Sequence, residues 1–309
     1  MECVVLGAGG MMPMPARLTT SVLVRREGRA LMFDAGEGIQ LALKRGALGI
    51  AGLDAVAISH LHADHVLGLP GVMMFRNQCE AAGPLAIIGP PGIERFVRHT
   101  LEDLRYRIDY GLEFVEWSEG AGPVAWDWHG SRLVWEPLEH SVFCLGYRVE
   151  EAIRPGRFFP ELAAAAGVPS GPRWGRLQAG EDVVLEDGRT VRPGDVLGPP
   201  RRGRVVAFAT DTRPCAGLER VTAGADLAFV EGMFALEHAA DAAEKKHMTA
   251  ADAAAAVARA GAGRLVLVHI SPRYDTRGDE DRLRDEAQVH FPGAEIGRGL
   301  ASYEIPLPD

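Results

Sequence analysis

Apolar residues in this chain arrive in short blocks, and five of these blocks stop at a residue able to bind a metal or a proton. Ala30-Leu31-Met32-Phe33 stops at Asp34, and Ala55-Val56-Ala57-Ile58 leads to His60. Leu133-Val134-Trp135 is followed shortly by His140, Val205 through Ala209 lead to Asp211, and Leu265 through Val268 stop at His269. Blocks this short, bounded by turn residues, predict strands. Other stretches carry helical signals. Residues 249–261 are alanine-rich and open on Thr249 with an acid, Asp252, three positions on, which is the sequence form of a capping box. Residues 90–105 open on Pro-Pro-Gly and continue as an amphipathic helix, residues 279–289 predict a charged helix, and SYEIPLP near the C-terminus predicts a closing strand. The alternation points to an α/β fold. In such folds functional groups gather at the carboxyl ends of strands, so the five endings are expected to converge on one rim.

One region breaks the alternation. Residues 151–203 are rich in Gly and Pro, and carried one residue further, to Arg204, the segment holds nine arginines against seven acids. The whole chain has a formal net charge of −9. A locally positive, turn-rich stretch reads as an inserted arm rather than a core element.

Composition narrows the class without naming it. The 309 residues are 47% hydrophobic and 24% charged, an ordinary globular balance. No run approaches the ~18 apolar residues of a membrane helix, and the start lacks the basic leader of a signal peptide. Cys3, Cys79, Cys144 and Cys215 are far apart with no C-x-x-C pair, so a cytoplasmic protein without a disulfide framework is expected. The net negative charge argues against general affinity for nucleic acid but leaves room for a local basic surface.

The densest chemistry is ISHLHADHVLGLPG, residues 58–71, where His60, His62, Asp64 and His65 fall within six positions. Burying such groups unpaired costs several kcal/mol, so a divalent cation is the natural compensation. Residues two apart do not share a helix face, so His60 and His62 belong to an extended segment or a tight loop. Imidazole with carboxylate suits zinc and excludes a thiolate site. His140, Asp211 and His269 complete the set. One metal is expected on His60, His62 and His140, a second on Asp64, His65 and His269, with Asp211 between them.

HxHxDH after a strand resembles the metallo-β-lactamase superfamily. FDAGEGIQ (33–40), SHLHADHVLGLPG (59–71), the segment His140 to Tyr147, GPRWGRLQAGE (171–181), DGRTVRPGDVLGPPRRGR (187–204), TDTRP (210–214) and HISPRY (269–274) resemble, in order, the ribonuclease Z family. The resemblance implies a single domain over 1–309, a four-layer αβ/βα sandwich with a flexible substrate-binding arm inserted at 151–203. It implies two zinc ions, a hydroxide nucleophile and phosphodiester hydrolysis that removes 3′ trailers from precursor tRNA. It also implies a homodimer, no membrane, and an arm that clamps the tRNA by charge and shape. Asp64 would position the nucleophile as well as bind metal, and His247 and Glu231 would protonate the leaving ribose oxygen. Asp34 would orient a ligand histidine. The chain departs from the family at Val230-Glu231-Gly232-Met233 where His-Glu-Ala-Thr is usual, at Ala63 for Gly, and at Ala-Thr for Ser-Gly before Asp211.

Blander readings exist for each residue. His140 and His269 taken singly suit core histidines, Asp211 suits a helix cap, and Glu231 with His247 suits a solvated pair. The arginines of the arm suit a solvated face. His99, His129, His238 and His290 are assigned no role, and Gly7-Ala8-Gly9-Gly10 is read as a backbone turn. Two rival functions remain: another phosphodiesterase of the same fold, and a tRNA-binding protein without catalysis.

Overall fold

A computed structural model describes residues 1–79, 83–117 and 125–308. The strands in chain order are β1 (Glu2–Gly7), β2 (Ser21–Arg26), β3 (Arg29–Phe33), β4 (Leu53–Ala57), β5 (Leu85–Gly89), β6 (Leu112–Glu116), β7 (Ala125–Trp128), β8 (Ser131–Leu138) and β9 (Cys144–Glu151). They continue with β10 (Val183–Val184), β11 (Thr190–Val191), β12 (Val205–Ala209), β13 (Leu227–Glu231), β14 (Leu265–Val268), β15 (Glu295–Ile296) and β16 (Ser302–Glu304). Among the described residues they form two seven-stranded sheets, β16-β1-β2-β3-β4-β5-β6 and β15-β14-β13-β12-β9-β8-β7, and the β10-β11 hairpin.

Each large sheet has a parallel part, β3 to β6 in one and β12 to β15 in the other. Strands β4, β5, β13 and β14 are buried along their full length, which is why they read as apolar runs rather than as alternation. Val22, Leu31, Phe33 and Ala57 of one sheet pack with Trp135, Tyr147, Phe208 and Phe229 of the other in the central core. Phe33 stacks on Phe208 with ring centroids 5.0 Å apart. The outer face of the first sheet is covered by Ile39, Leu43, Leu69, Val72 and Val97 from helices. The outer face of the second is covered by Leu218, Ala253, Val257 and Leu283. The order helix, sheet, sheet, helix is the four-layer sandwich expected from the sequence.

The helix Ala250–Arg259 carries its capping box, with Thr249 Oγ1 accepting from the Asp252 amide at 3.1 Å. Its buried alanines bring it close to the second sheet. Two expectations of length are corrected. The helix expected over 90–105 is Ile93–Asp103, because Gly92 sits at φ 100°, outside helical space. The closing strand expected over SYEIPLP is only Ser302–Glu304, since Pro306 and Pro308 lack the amide a ladder needs.

The chain divides into two compact units: Met1–Val149 with Val205–Pro306, and Glu150–Arg204 with the C-terminal end from Leu307. The second has an apolar core of its own, made by Ala163, Val168, Leu177, Val183, Leu185, Val191 and Val196. Its two chain ends run side by side, Arg154 bridging to Arg201, with Arg204 in a salt bridge to Glu151.

Candidate metal centre

Strand β4 runs into Ser59 and His60, and His62 then caps the one-turn helix Ala63–Val66, which carries Asp64 and His65. The extended-then-loop geometry puts His60 and His62 side by side, with Nε2 of His60 2.9 Å from Nδ1 of His62. Loops from the second sheet bring the remainder. His140 Nε2 lies 3.4 Å from His62 Nδ1, and Asp211 Oδ2 lies 3.6 Å from the Nε2 atoms of both His60 and His140. On the other side His65 Nε2 and His269 Nε2 are 3.2 Å apart, and Asp64 Oδ2 is 3.5 and 3.3 Å from them. Asp211 Oδ1 reaches the same two nitrogens at 3.3 and 3.2 Å. All seven residues singled out in the sequence thus meet at one point, in two groups that share Asp211.

Backbone conformation makes the convergence possible. Asp34, Asp211 and His269 end their strands at φ 51°, 55° and 56°, the left-handed region that non-glycine residues rarely occupy. Each costs on the order of 1–3 kcal/mol and turns its side chain off the sheet into the rim. Close packing of loops does the rest. A methyl group on Gly10 would stand 2.7 Å from Cε1 of His269, so the turn at 7–10 is a wall of the site and not only a turn.

The donors fit a cation better than they fit one another. Asp211 is 3% exposed, and its Oδ1 has no hydrogen-bond partner. His65 donates from Nδ1 to Asp34 Oδ2 at 2.7 Å, which leaves Nε2 as the nitrogen open to a metal. Nitrogen and oxygen lone pairs packed at ~3 Å repel unless positive charge lies between them. Burial holds the pKa values of His60, His62 and His140 below the usual histidine value. They are therefore neutral near pH 7, the form that ligates. Burial also opposes charge on His65, but Asp211 and Asp34 outweigh it and push its pKa well up. Asp64 and Asp211 are held well below the ordinary carboxylate range despite burial, by His269 and His65 in both cases and by His60 for Asp211. In the metal-free chain the histidines offset this carboxylate charge; a cation bound between the donors would take over that role.

Beside the two groups lies a third pair. Glu231, at the end of β13, is fully buried and accepts from the amides of Thr212 and Met248 and from Nδ1 of His247 at 3.1 Å. The solvated-pair reading is therefore wrong for these two residues. The His247 ring stands 4.9 Å from that of His140 and 5.6 Å from that of His269. Burial lowers its affinity for a proton, but the Glu231 carboxylate more than restores it, and the pKa is raised.

Several contributors carried no sequence signal. The Met11 amide donates to Asp64 Oδ2 at 2.6 Å. The Lys246 carbonyl faces His140 Nδ1 at 3.3 Å, while Lys246 Nζ donates to the His140 carbonyl at 3.0 Å. All three join segments remote in sequence through at least one main-chain group. His129 and His238 lie elsewhere, beside Asp54 and Glu237.

Similarity to known proteins agrees with this picture. Residues 1–108 match a family model described as anti-Pycsar protein Apyc1, and residues 184–270 match a beta-lactamase superfamily domain. Ribonuclease Z of Treponema denticola is 41% identical over 309 residues, all of this chain and 99% of that protein. Ribonuclease Z of Salinibacter ruber is 41% identical over 98% of this chain and 94% of its own. The crystal structure of human tRNase Z, short form, superposes with a TM-score of 0.67 at 21% identity, covering 99% of this chain and all of that one, and shows the same metallo-β-lactamase fold.

Proposed function

This chain belongs to the ribonuclease Z family, and from that premise we propose that it is a zinc-dependent endoribonuclease that removes 3′ trailers from precursor tRNA. The observation that carries the reading is the convergence of two donor groups, His60, His62, His140 and Asp211 in one and Asp64, His65 and His269 in the other, with Asp211 Oδ1 3.3 and 3.2 Å from His65 and His269. Four imidazole or carboxylate donors per ion suit zinc. A pair of such ions supplies a nucleophile at neutral pH and neutralises charge on an in-line phosphoryl transition state.

The chain's own residues supply the rest. Asp64, half-buried and fixed by the Met11 amide, would orient the attacking water. The ribose 3′-oxygen leaves as the P–O bond breaks and must take up a proton. With Nδ1 of His247 engaged by Glu231, Nε2 is the nitrogen that can hold this proton, and the neighbouring carboxylate strengthens the ring's hold on it. The products are a tRNA with a free 3′-hydroxyl and a trailer with a 5′-phosphate.

The unit Glu150–Arg204 is assigned to tRNA binding. Arg157, Arg173, Arg176, Arg189 and Arg192 lie on it, and a small-substrate phosphodiesterase has no use for such a unit. A dimer of identical chains and a cytoplasmic location complete the reading on family grounds; among the described residues no helix is long and apolar enough to cross a membrane. Incubation with a 3′-extended precursor tRNA tests the proposal. One cut that leaves a tRNA-length product ending in a 3′-hydroxyl supports it, and an intact precursor in the presence of zinc refutes it.

A further inference from the structure

The histidines of the centre need one defined tautomer each, and the structure shows how two of them obtain it from a single carboxylate. Asp34 is fully buried. Its Oδ2 accepts from His65 Nδ1 at 2.7 Å and from the Ser59 hydroxyl at 2.8 Å, and its Oδ1 accepts from the Ser59 amide at 2.6 Å. The Ser59 oxygen also lies 3.0 Å from Nδ1 of His60. A hydroxyl has one proton to give, and an ionised carboxylate can only accept. The Ser59 proton therefore goes to Asp34, and the Ser59 oxygen accepts from His60 Nδ1–H. The other neighbour of that nitrogen, Cys144 Sγ, is 3.9 Å away and donates to the Thr210 carbonyl, so it does not compete. His60 is left with its lone pair on Nε2, facing His62 and Asp211.

The geometry assigns to Ser59 the role of a positioning residue that relays Asp34 to His60, so that one carboxylate orients a ligand in each half of the centre: His65 directly and His60 through a hydroxyl. This rests on the reading of the site as a two-metal centre, but the relay itself is a property of the chain without metal. Hydrogen-bond partners of ligand histidines typically tune metal affinity by ~10–100-fold. Removing the hydroxyl takes the oxygen acceptor away from His60 Nδ1, while His65 keeps its bond to Asp34 Oδ2, which loses only the Ser59 hydroxyl as a second donor. Removing the Asp34 charge touches both.

The test uses the full-length chain with Ser59→Ala, Ser59→Thr and Asp34→Asn. Zinc is titrated against a chelating competitor, and the histidine ring nitrogens are observed by NMR in chelator-treated protein. Ser59→Ala should weaken one of the two zinc sites by ~10-fold and the other by distinctly less. Ser59→Thr should restore it, and Asp34→Asn should weaken both. In the metal-free protein His60 should carry its proton on Nδ1 in wild type and Ser59→Thr, and should show mixed tautomers in Ser59→Ala. Unchanged affinities and an unchanged His60 tautomer in Ser59→Ala, or equal loss at both sites, would overturn the relay. A wild-type chain that binds no zinc yet shows the Nδ1–H tautomer would sink the two-metal reading and leave the relay standing.

Discussion

Replacing Glu231 by Gln changes one atom at a fully buried position, and the structure fixes what that atom meets. Both carboxylate oxygens accept main-chain amides, Oε1 from Thr212 and Oε2 from Met248 at 3.1 Å, and Oε2 also accepts from His247 at 3.1 Å. A glutamine must turn its NH₂ toward one of those two amides, so one buried donor loses its acceptor whichever way the side chain flips. That costs about 1–3 kcal/mol, and the charge-assisted bond to His247 weakens by about 1 kcal/mol more. The expected loss of stability is therefore about 2–4 kcal/mol, read from urea unfolding in chelator. The effect on catalysis depends on the leaving group. A ribose oxygen needs the proton of His247, and loss of a general acid slows such a step by about 10²–10⁴-fold. A nitrophenolate leaves without protonation. Glu231→Gln and His247→Ala should thus slow precursor-tRNA cleavage by that factor while sparing hydrolysis of a nitrophenyl phosphodiester to within about tenfold. Equal losses on both substrates would refute the assignment of these two residues to leaving-group protonation.

Further outcomes follow from the same geometry. Asp211→Asn removes the charge shared by both groups at nearly constant size, so it should weaken at least one zinc and slow both substrates; an Asn variant with two tightly held zinc ions and wild-type rates would reduce Asp211 to a turn residue. His62→Ala should lose zinc and activity together, as metal analysis beside a rate measurement will show. Deleting residues 155–198 cuts where Arg154 and Arg201 pair; precursor cleavage should collapse while nitrophenyl phosphodiester hydrolysis persists, and parallel loss of both would mean that this segment supports the fold. Because the pKa of His247 is raised in the folded chain, its pairing with Glu231 stabilises most below the unfolded histidine value of about 6.5. The stability difference between wild type and His247→Ala, measured in chelator, should therefore shrink as pH rises through the folded value, and a difference that grows with pH would contradict the pairing.

The legible parts of this molecule are those written in consecutive residues. Strands β3, β4, β12 and β14 were visible because burial along nearly their whole length makes each largely apolar, and Asp34, His60, Asp211 and His269 were visible because a metal-binding residue follows such a run. Glu231 also follows one, but a lone carboxylate at a strand end has an ordinary surface reading, and only the fold shows three donors, the Thr212 and Met248 amides and His247, converging on it. The apolar core of Glu150–Arg204 was not legible, because Ala163, Val168, Leu177 and Val196 are spaced without helical or strand period among Gly, Pro and Arg. Nor were the Met11 amide and the Lys246 carbonyl, since every residue but proline has the former and every residue has the latter. Their use is decided by which loops the sandwich brings to the same rim.

The most direct measurement is a zinc titration of chelator-stripped protein, with cleavage of a 3′-extended precursor tRNA as the readout. The stripped chain should be inactive, and activity should rise to a plateau that breaks near two zinc ions per chain, as two-metal hydrolysis requires. Full cleavage by the stripped chain, or zinc bound at two per chain with the precursor left uncut, would contradict the account.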